Sequence, residues 1–302
     1  MNREMRRAWR QDIRPPMIIA DDLFAGAGGW DLAAIHLGIH PRGVENMTEA
    51  RATRAAAGLT TIHDDVWTFR PDQTAIGQIT SPPCPTFSTA GKGSGRRHLD
   101  TVLAAIHSGE WASIQRLRQL AEHVGDDRTA LVLTPLHFAM TNPYQWLAWE
   151  QVPPVLPIWE ACAEVLRGYG WHVWTGIVTA EQHGVPQTRR RAVLIANRAH
   201  PVGAPIATHS RYHSRTPSRL DPGVAKWVSM AEALGWGMTQ RPYPTVAPGT
   251  YSGSTDPQAI GGSGARRTID EERQPGRWID KTYDDTPGHS HGEADRKSTR
   301  LN

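Results

Sequence analysis

Cys84 and Cys162 are the chain's two cysteines, and their surroundings differ. Cys84 lies in the segment Ser81-Pro82-Pro83-Cys84-Pro85, where prolines stiffen the backbone on both sides of the thiol. The segment follows a predicted strand, so the thiol is expected at the carboxyl edge of a sheet, where open α/β folds keep their sites. Cys162 belongs to a helical apolar pattern that predicts core packing. Cys84 is therefore the candidate nucleophile.

A glycine-rich turn follows the first predicted strand. Residues 17–22 form a short apolar run, and Ala25-Gly26-Ala27-Gly28-Gly29 leads into a predicted helix. Such a turn lets a ligand approach the backbone, and both dinucleotides and S-adenosylmethionine bind in this way. The nicotinamide fingerprint requires a third glycine at position 31, where this chain has Asp31. The sequence therefore disfavours a nicotinamide site.

Two acidic residues stand where the next two strands of such a fold should end. Glu45 follows Pro41-Arg42-Gly43-Val44, and a carboxylate there can accept from ribose hydroxyls. Asp65 stands where a third strand would offer an acceptor to an adenine amino group. A surface acid of no function is the alternative for either residue. Their spacing behind the glycine-rich turn favours binding.

The remaining apolar patterns alternate between strands and helices, which predicts an α/β layer with a mostly parallel sheet. Two amphipathic helices are predicted between Leu99 and Val124. After Asn197 the periodic runs become sparse, and the clearest predicted helix there is Trp227–Trp236. Further strands are predicted at Ile76–Thr80, Gln145–Val152, His172–Val178 and Ala192–Ala196.

Composition narrows the class of protein without deciding its function. The 302 residues carry a formal net charge of +3, which permits binding to a polyanion. No apolar run approaches the roughly 20 residues of a membrane-spanning helix, and the basic N-terminus lacks the apolar stretch of a secretion signal. A cytoplasmic protein without a membrane partner is expected. No cluster of cysteine and histidine has zinc-site spacing, so no metal is expected.

The chain resembles the DNA (cytosine-5)-methyltransferase family of bacterial or phage type, over residues 17–197. The resemblance rests on motifs that occur in the family's order: Asp22-Leu23-Phe24-Ala25-Gly26-Ala27-Gly28-Gly29, Glu45, Asp65, Pro82-Pro83-Cys84, Glu150-Gln151-Val152 and Gln187-Thr188-Arg189-Arg190-Arg191. Two supporting positions depart from the pattern. Pro85 follows the cysteine where glutamine is usual, and Gln151 replaces asparagine beside the glutamate.

The resemblance implies a reaction and a role for each matching residue. Cys84 would add to C6 of a flipped cytosine, and Glu150 would donate a proton or hydrogen bond to N3. Arg189 or Arg191 would support the thiolate, and Arg191 would also hold the base oxygen. S-adenosylmethionine would be the cofactor. Its binding residues would be Phe24, Gly26, Gly28, Glu45, Asp65 and Pro83.

The resemblance also implies a Rossmann-like S-adenosylmethionine-dependent methyltransferase fold, with helices on both faces of the sheet. Residues 17–197 would be the catalytic domain, with a helical insert at about 96–130, after an N-terminal extension over 1–16. Residues 198–280 would be a partial, loop-rich target-recognition domain. The implied partners are double-stranded DNA and, in a restriction-modification system, a cognate restriction endonuclease. The enzyme would act as a monomer.

The C-terminal segment departs from the family. The family's last motif, which completes the cofactor pocket, is not recognisable. Residues 281–302 are polar and are expected to be disordered. The last eight residues resemble a translated sequencing adapter, so we expect that the native end has been lost.

Three alternatives remain at this stage. One is an RNA cytosine-5 methyltransferase built on the same motifs. Another is a truncated, catalytically weak fragment that binds nucleic acid. The third, a nicotinamide oxidoreductase, is disfavoured by Asp31 and by the series of cysteine, glutamate and arginine motifs.

Overall fold

A computed structural model describes residues 17–83, 95–125, 127–213, 215–216 and 218–235. The predicted nucleophile Cys84, most of the loop after it, and the predicted disordered tail lie outside this part of the chain. The described chain divides into two units. The first comprises residues up to Val178 together with Arg190–Ile206, and the second comprises Thr179–Arg189 and the residues from Ala207.

Within the described residues, one seven-stranded sheet has the order β3-β2-β1-β4-β5-β7-β6. Strands β1 to β5 pair in parallel with their neighbours, and β7 runs antiparallel to β5. The strands are β1 (Ile18–Leu23), β2 (Ile39–Val44), β3 (Thr61–His63), β4 (Gly77–Thr80), β5 (Trp146–Gln151), β6 (His172–Thr179) and β7 (Arg190–Asn197). The predicted mostly parallel sheet is therefore confirmed.

Helices connect the strands of the first unit. Those described there are α1 (Gly29–His36), α2 (Thr48–Ala56), α3 (Gly95–His107), α4 (Ile114–Val124), α5 (Asp127–Leu131), α6 (Thr134–Thr141) and α7 (Leu156–Gly168). Short 3-10 helices occur at Glu110–Ala112 and Pro153–Val155. The two helices predicted between Leu99 and Val124 are confirmed as α3 and α4. Among the described residues, no helix has the length and apolar character needed to cross a membrane.

Hydrophobic side chains pack on both faces of the sheet, because successive residues of a strand point to opposite faces. On one face Leu147 and Trp149 of β5 pack in the main core, to which α7 contributes Trp159. On the other face Ala20 and Ile79 form a smaller cluster, to which α1 contributes Ala34. The sheet is thereby covered by helices on its two faces, as predicted.

The described residues of the second unit contain little regular structure. A 3-10 helix spans Ala180–His183, and α8 spans Met230–Ala233. The prediction of a helix over Trp227–Trp236 is wrong in extent. The extended backbone of Ser229 interrupts the pattern, and its hydroxyl caps α8 by accepting from the Glu232 N–H at 3.0 Å.

Candidate cofactor and catalytic site

A pocket lies at the carboxyl ends of β1, β2, β3 and β4. Its walls include Phe24, Glu45, Asp65 and Pro83, each of which stands just after one of these strands. Carboxyl ends of parallel strands meet at one edge of a sheet, and this is where open α/β folds bind ligands. The structure thus brings together four of the six residues that the resemblance assigns to the cofactor.

The turn after β1 has an unusual backbone. Phe24 has φ of 62°, in the left-handed region that side chains with a Cβ rarely adopt. Gly28 has φ of 101°, and a Cβ there would stand 2.1 Å from Leu59 Cδ1. Because strain of this kind concentrates at ligand sites, Phe24 supports the placement of the pocket. Gly28 meets a packing requirement and is not part of the pocket wall.

Glu45 bridges the glycine-rich turn and the start of α2. Its Oε2 accepts from the Gly26 N–H at 2.7 Å, and its Oε1 accepts from the Met47 N–H at 2.7 Å. The side chain is buried. A carboxylate with two backbone donors is held in one orientation, and each oxygen keeps a lone pair for a ligand.

Asp65 is fixed in a similar way. Its Oδ1 accepts from the Trp67 N–H at 2.9 Å, which forms a tight turn after β3. The indole of Trp67 also lines the pocket, and so does Leu131 at the end of α5. Sequence patterns gave no reason to assign Trp67 or Leu131 to the site. The short distance of Trp67 from Asp65 along the chain was the only available signal.

A buried charge cluster lies beneath the glycine-rich turn. Arg54 and Asp31 are fully buried and form two hydrogen bonds, Nη1 to Oδ2 at 2.7 Å and Nη2 to Oδ1 at 2.8 Å. Arg54 also donates to the Thr60 carbonyl at 2.8 Å. A Cβ on Gly43 would stand 2.1 Å from Arg54 Nη2, so the guanidinium occupies the space that this glycine leaves. Asp31, at the position of the absent third glycine, therefore has a structural role.

Asp22 is the third member of this cluster. Its side chain is fully buried, and neither carboxyl oxygen has a donor partner among the described residues. Burial and the neighbouring Asp31 raise the pKa of Asp22 well above its usual range. A protonated Asp22 can donate its O–H to the Asp31 carboxylate. The cluster of Arg54, Asp31 and Asp22 is then electrically neutral.

The raised pKa predicts how the stability of the protein depends on pH. An aspartate that stays protonated in the folded protein lowers stability as pH rises above its unfolded pKa, by up to about 1.4 kcal/mol for each pH unit. We expect Asp22→Asn to remove this cost, because the amide can still donate to Asp31. In thermal unfolding, the variant should gain stability over the wild type progressively from about pH 5 to pH 8.

The control for this prediction is Asp100→Asn, since Asp100 is an exposed residue on α3. The thermal unfolding midpoint of Asp100→Asn should equal that of the wild type at each pH. A constant destabilisation of Asp22→Asn across the range would contradict a protonated Asp22.

Glu150 and Arg191, two of the predicted catalytic residues, contact each other directly. Glu150 stands near the end of β5 and Arg191 near the start of β7, and Arg191 Nε lies 2.5 Å from Glu150 Oε1. Both side chains are about one-fifth exposed, at 19% and 20%. The antiparallel pairing of β5 with β7 brings them together. The pair is accessible to a ligand.

Gln151 links β5 to the segment that leads to Cys84. Its side-chain amide donates to the Pro82 carbonyl, and its Oε1 accepts from the Val152 N–H at 2.5 Å. Gln151 is buried, so this contact fixes the backbone two residues before the thiol. The glutamine that departs from the family's asparagine thus makes a specific contact with the predicted catalytic segment.

Arg189 and Cys162, the other residues considered in the sequence, do not line the pocket. Arg189 belongs to the second unit, where its carbonyl accepts from the Ala180 N–H at 2.8 Å. Cys162 is fully buried on α7, and burial raises the pKa of its thiol strongly. Its predicted role in core packing is confirmed. No group of residues that could hold a metal ion occurs within the described ranges.

Comparisons with known proteins concern the fold. No protein-family model matches the sequence, and no curated protein matches it. Among solved structures, Entamoeba histolytica methyltransferase EhMeth is similar at 14% identity with a TM-score of 0.46, covering 63% of this chain and 56% of that one. S. pombe Dnmt2 methyltransferase has 16% identity and a TM-score of 0.41, covering 62% and 51%.

A third similar structure is a putative DNA modification methyltransferase encoded within an E. coli prophage. It has 16% identity and a TM-score of 0.43, covering 84% of this chain and 69% of that one. The chain spans about half the length of EhMeth and Dnmt2. Within the described residues, the strand order is β3-β2-β1-β4-β5-β7-β6, and β7 runs antiparallel to β5. This arrangement is that of the predicted Rossmann-like methyltransferase fold.

Proposed function

We propose that this chain transfers the methyl group of S-adenosylmethionine to C5 of cytosine in DNA. The observation that carries the proposal is the pocket where Phe24, Glu45, Asp65 and Pro83 converge. Pro83, which lines this pocket, immediately precedes the candidate nucleophile Cys84 in the sequence. The family motifs supply the identity of the reaction, and the contacts of their side chains are compatible with it.

The acceptors of the pocket suit S-adenosylmethionine. Glu45 and Asp65 offer carboxylate oxygens, which suit the hydroxyls of a ribose and the amino group of an adenine. The pocket also contains Asp64, whose Oδ2 is paired with Arg51 Nη1 at 3.3 Å. The negative charge of Glu45 and Asp65 favours a ligand with a cationic sulfonium and disfavours a pyrophosphate.

The Gly26 N–H provides a second argument against a dinucleotide. In dinucleotide-binding folds the amides of the glycine-rich turn donate to the pyrophosphate. Here the Gly26 N–H donates to Glu45, at 2.7 Å. Both this bond and the absent third glycine argue against the nicotinamide oxidoreductase.

The reaction assigns a task to each protein group. When bound, S-adenosylmethionine supplies an electrophilic methyl group on its sulfonium. The thiolate of Cys84 adds to C6 of the cytosine, which makes C5 nucleophilic. Glu150 takes up a proton from solvent, donates it to N3 and so limits the negative charge on the ring. Once C5 carries the methyl group, the C5 proton passes to water or hydroxide, the C6–S bond breaks, Cys84 leaves as a thiolate and the N3 proton returns to Glu150.

The contact between Glu150 and Arg191 adds a requirement to this scheme. Arg191 Nε lies 2.5 Å from Glu150 Oε1, and a carboxylate paired with a cation carries no proton to give to the base. Entry of the cytosine must therefore loosen this ion pair. Arg191 can then donate to the base oxygen while Glu150 turns to N3. The ion pair would thus persist until the flipped base arrives.

A double-stranded DNA substrate, a restriction endonuclease partner and a monomeric, cytoplasmic enzyme remain predictions. The same pocket would serve an RNA cytosine-5 methyltransferase, so the substrate test must include RNA. Gly26 and Gly28 both have positive φ, and we propose that they serve the cofactor site by shaping the turn that carries Phe24.

We expect Asp65→Ala and Glu45→Gln to weaken S-adenosylmethionine binding by about tenfold to a hundredfold. This range follows from about 1.5–3 kcal/mol for a hydrogen bond to a charged group. Titration calorimetry measures the affinity, and thermal unfolding checks that each variant folds. Glu45→Gln retains one acceptor oxygen for its backbone donors, whereas Glu45→Ala would remove both.

The control variant is Glu49→Ala, an exposed acid in the first turn of α2. Its affinity for S-adenosylmethionine should equal that of the wild type. Wild-type affinity in both Asp65→Ala and Glu45→Gln would place the cofactor elsewhere and contradict the proposed pocket.

A further inference from the structure

Trp30 of α1 is hydrogen-bonded to the segment that leads to Cys84. Its indole Nε1–H donates to Ser81 Oγ at 3.0 Å. Trp30 directly follows Gly29, the first residue of α1, and Ser81 directly follows β4. Ser81-Pro82-Pro83 then leads to the candidate nucleophile. One side chain therefore joins the helix behind the glycine-rich turn to the predicted catalytic segment.

The ring of Trp30 is held by packing. It lies against the small hydrophobic cluster of Ala20, Ala34 and Ile79, on the face of the sheet opposite the main core. A tryptophan side chain has only two rotatable torsions, so packing that fixes the ring also fixes the direction of its N–H. The bond to Ser81 is therefore a directed contact from a side chain in a defined orientation.

Two further bonds hold the backbone of the same segment. The Ser81 N–H donates to the Leu23 carbonyl at 3.2 Å, and the Pro82 carbonyl accepts from the Gln151 side chain. Of these three bonds, the one from Trp30 reaches the Ser81 side chain. The segment is thus held from β1, from β5 and from α1.

The prolines transmit the orientation of Ser81 towards Cys84. Proline locks its own φ, so Pro82 and Pro83 leave few free torsions between Ser81 and the thiol. A rotation at Ser81 is therefore passed along the segment and is not absorbed by it. A reacting group that is displaced by about 1 Å can lose about a hundredfold in rate. The rate of methyl transfer should then depend on how firmly Ser81 is held.

We propose that Trp30 is a positioning residue, which fixes the Ser81-Pro82-Pro83 segment through its hydrogen bond to the Ser81 hydroxyl. The effect on methyl transfer rests on the proposed function, whereas the effect on the reactivity of the thiol does not. A ring that only filled the cluster would need no N–H donor. Trp30 does not line the cofactor pocket, so its substitution should leave the affinity for S-adenosylmethionine unchanged.

Two single variants remove the two ends of the bond. Trp30→Phe keeps an aromatic ring and removes the N–H donor, and Ser81→Ala removes the acceptor. The control is Trp146→Phe, because Trp146 packs against the same cluster from β5. All three variants, and the double variant of Trp30 and Ser81, are made in the full chain. Thermal unfolding measures how much stability each substitution removes.

Alkylation of Cys84 by iodoacetamide reports on the segment without requiring methyl transfer. Digestion and mass spectrometry distinguish the Cys84 peptide from that of Cys162. We expect Trp30→Phe and Ser81→Ala each to speed alkylation of Cys84 by about twofold to tenfold, the range for one net hydrogen bond, because a loosened segment exposes the thiol more often. The double variant should match either single variant, since both remove the same bond. Trp146→Phe should keep the wild-type rate.

Single-turnover methyl transfer at saturating cofactor and DNA is the second measurement. Trp30→Phe and Ser81→Ala should each slow it by about tenfold to a hundredfold, with the calorimetric affinity for S-adenosylmethionine unchanged. Trp146→Phe should keep both the rate and the affinity. A purely structural role would lower the unfolding midpoints of Trp30→Phe and Trp146→Phe alike and would leave thiol reactivity and methyl transfer unaffected.

A wild-type rate of Cys84 alkylation in Trp30→Phe, or single effects that multiply in the double variant, would overturn the proposal. If the wild type transfers no methyl group to cytosine and the two variants speed alkylation as expected, the proposed function fails and the positioning role stands. If the wild type transfers methyl groups and both variants keep its alkylation rate, the positioning role fails alone.

Discussion

Replacing Cys84 by serine is expected to abolish methyl transfer to DNA. A serine hydroxyl is far less ionised than a thiol near neutral pH, and it cannot replace the thiolate that adds to C6. The same change should abolish covalent trapping on a duplex that contains 5-fluorocytosine, because the fluorine blocks loss of the group at C5. Label transfer and denaturing electrophoresis measure the two effects.

Cys162→Ala is the control for this experiment. Cys162 is buried on α7 and packs in the main core, so its replacement should affect stability and leave trapping intact. If Cys162→Ala abolished trapping while Cys84→Ser retained it, the assignment of the nucleophile would be wrong.

Glu150→Gln is expected to retain DNA binding and to slow methyl transfer by about 10²–10⁴-fold, the usual effect of removing a general acid. Glutamine has nearly the shape of glutamate, but it cannot transfer a proton to N3. The variant therefore removes the acidic group of Glu150 and keeps the size of its side chain. The ion pair with Arg191 is also lost. Single-turnover rates on saturating DNA measure the effect.

The ion pair also predicts that the effects of substituting Glu150 and Arg191 on the rate are coupled. Since Glu150 and Arg191 contact each other, the combined Glu150→Gln and Arg191→Gln variant should be slowed by less than the product of the two single effects. Glu160→Gln, at an exposed position of α7, should keep the wild-type rate. Near-normal turnover of Glu150→Gln would remove Glu150 from the mechanism.

The sequence was informative where local patterns determine structure. The apolar run before Gly26 predicts β1, and the spacing of Glu45 and Asp65 behind the turn predicts that both follow strands of the same sheet. The structure places each of them just after a strand. Such predictions succeed because parallel strands end at a common edge, so a position in the chain implies a position in space.

Contacts between distant residues could not be predicted in the same way. Nothing near Asp31 in the sequence indicates Arg54 as its partner, and nothing near Gln151 indicates the Pro82 carbonyl. Each contact depends on how α2 or β5 packs in the folded chain. The helix predicted from Trp227 failed because a single cap, Ser229, outweighs the apolar pattern.

Transfer of labelled methyl from S-adenosylmethionine tests the central claim most directly. The chain would be incubated with duplex DNA and, separately, with RNA of the same sequence, and the labelled nucleoside would be identified after digestion. We predict label in the DNA only, recovered as 5-methylcytosine. Label in RNA alone would support the alternative substrate, whereas label on another atom of the base, or no transfer at all by a chain that binds the cofactor, would contradict the proposed function.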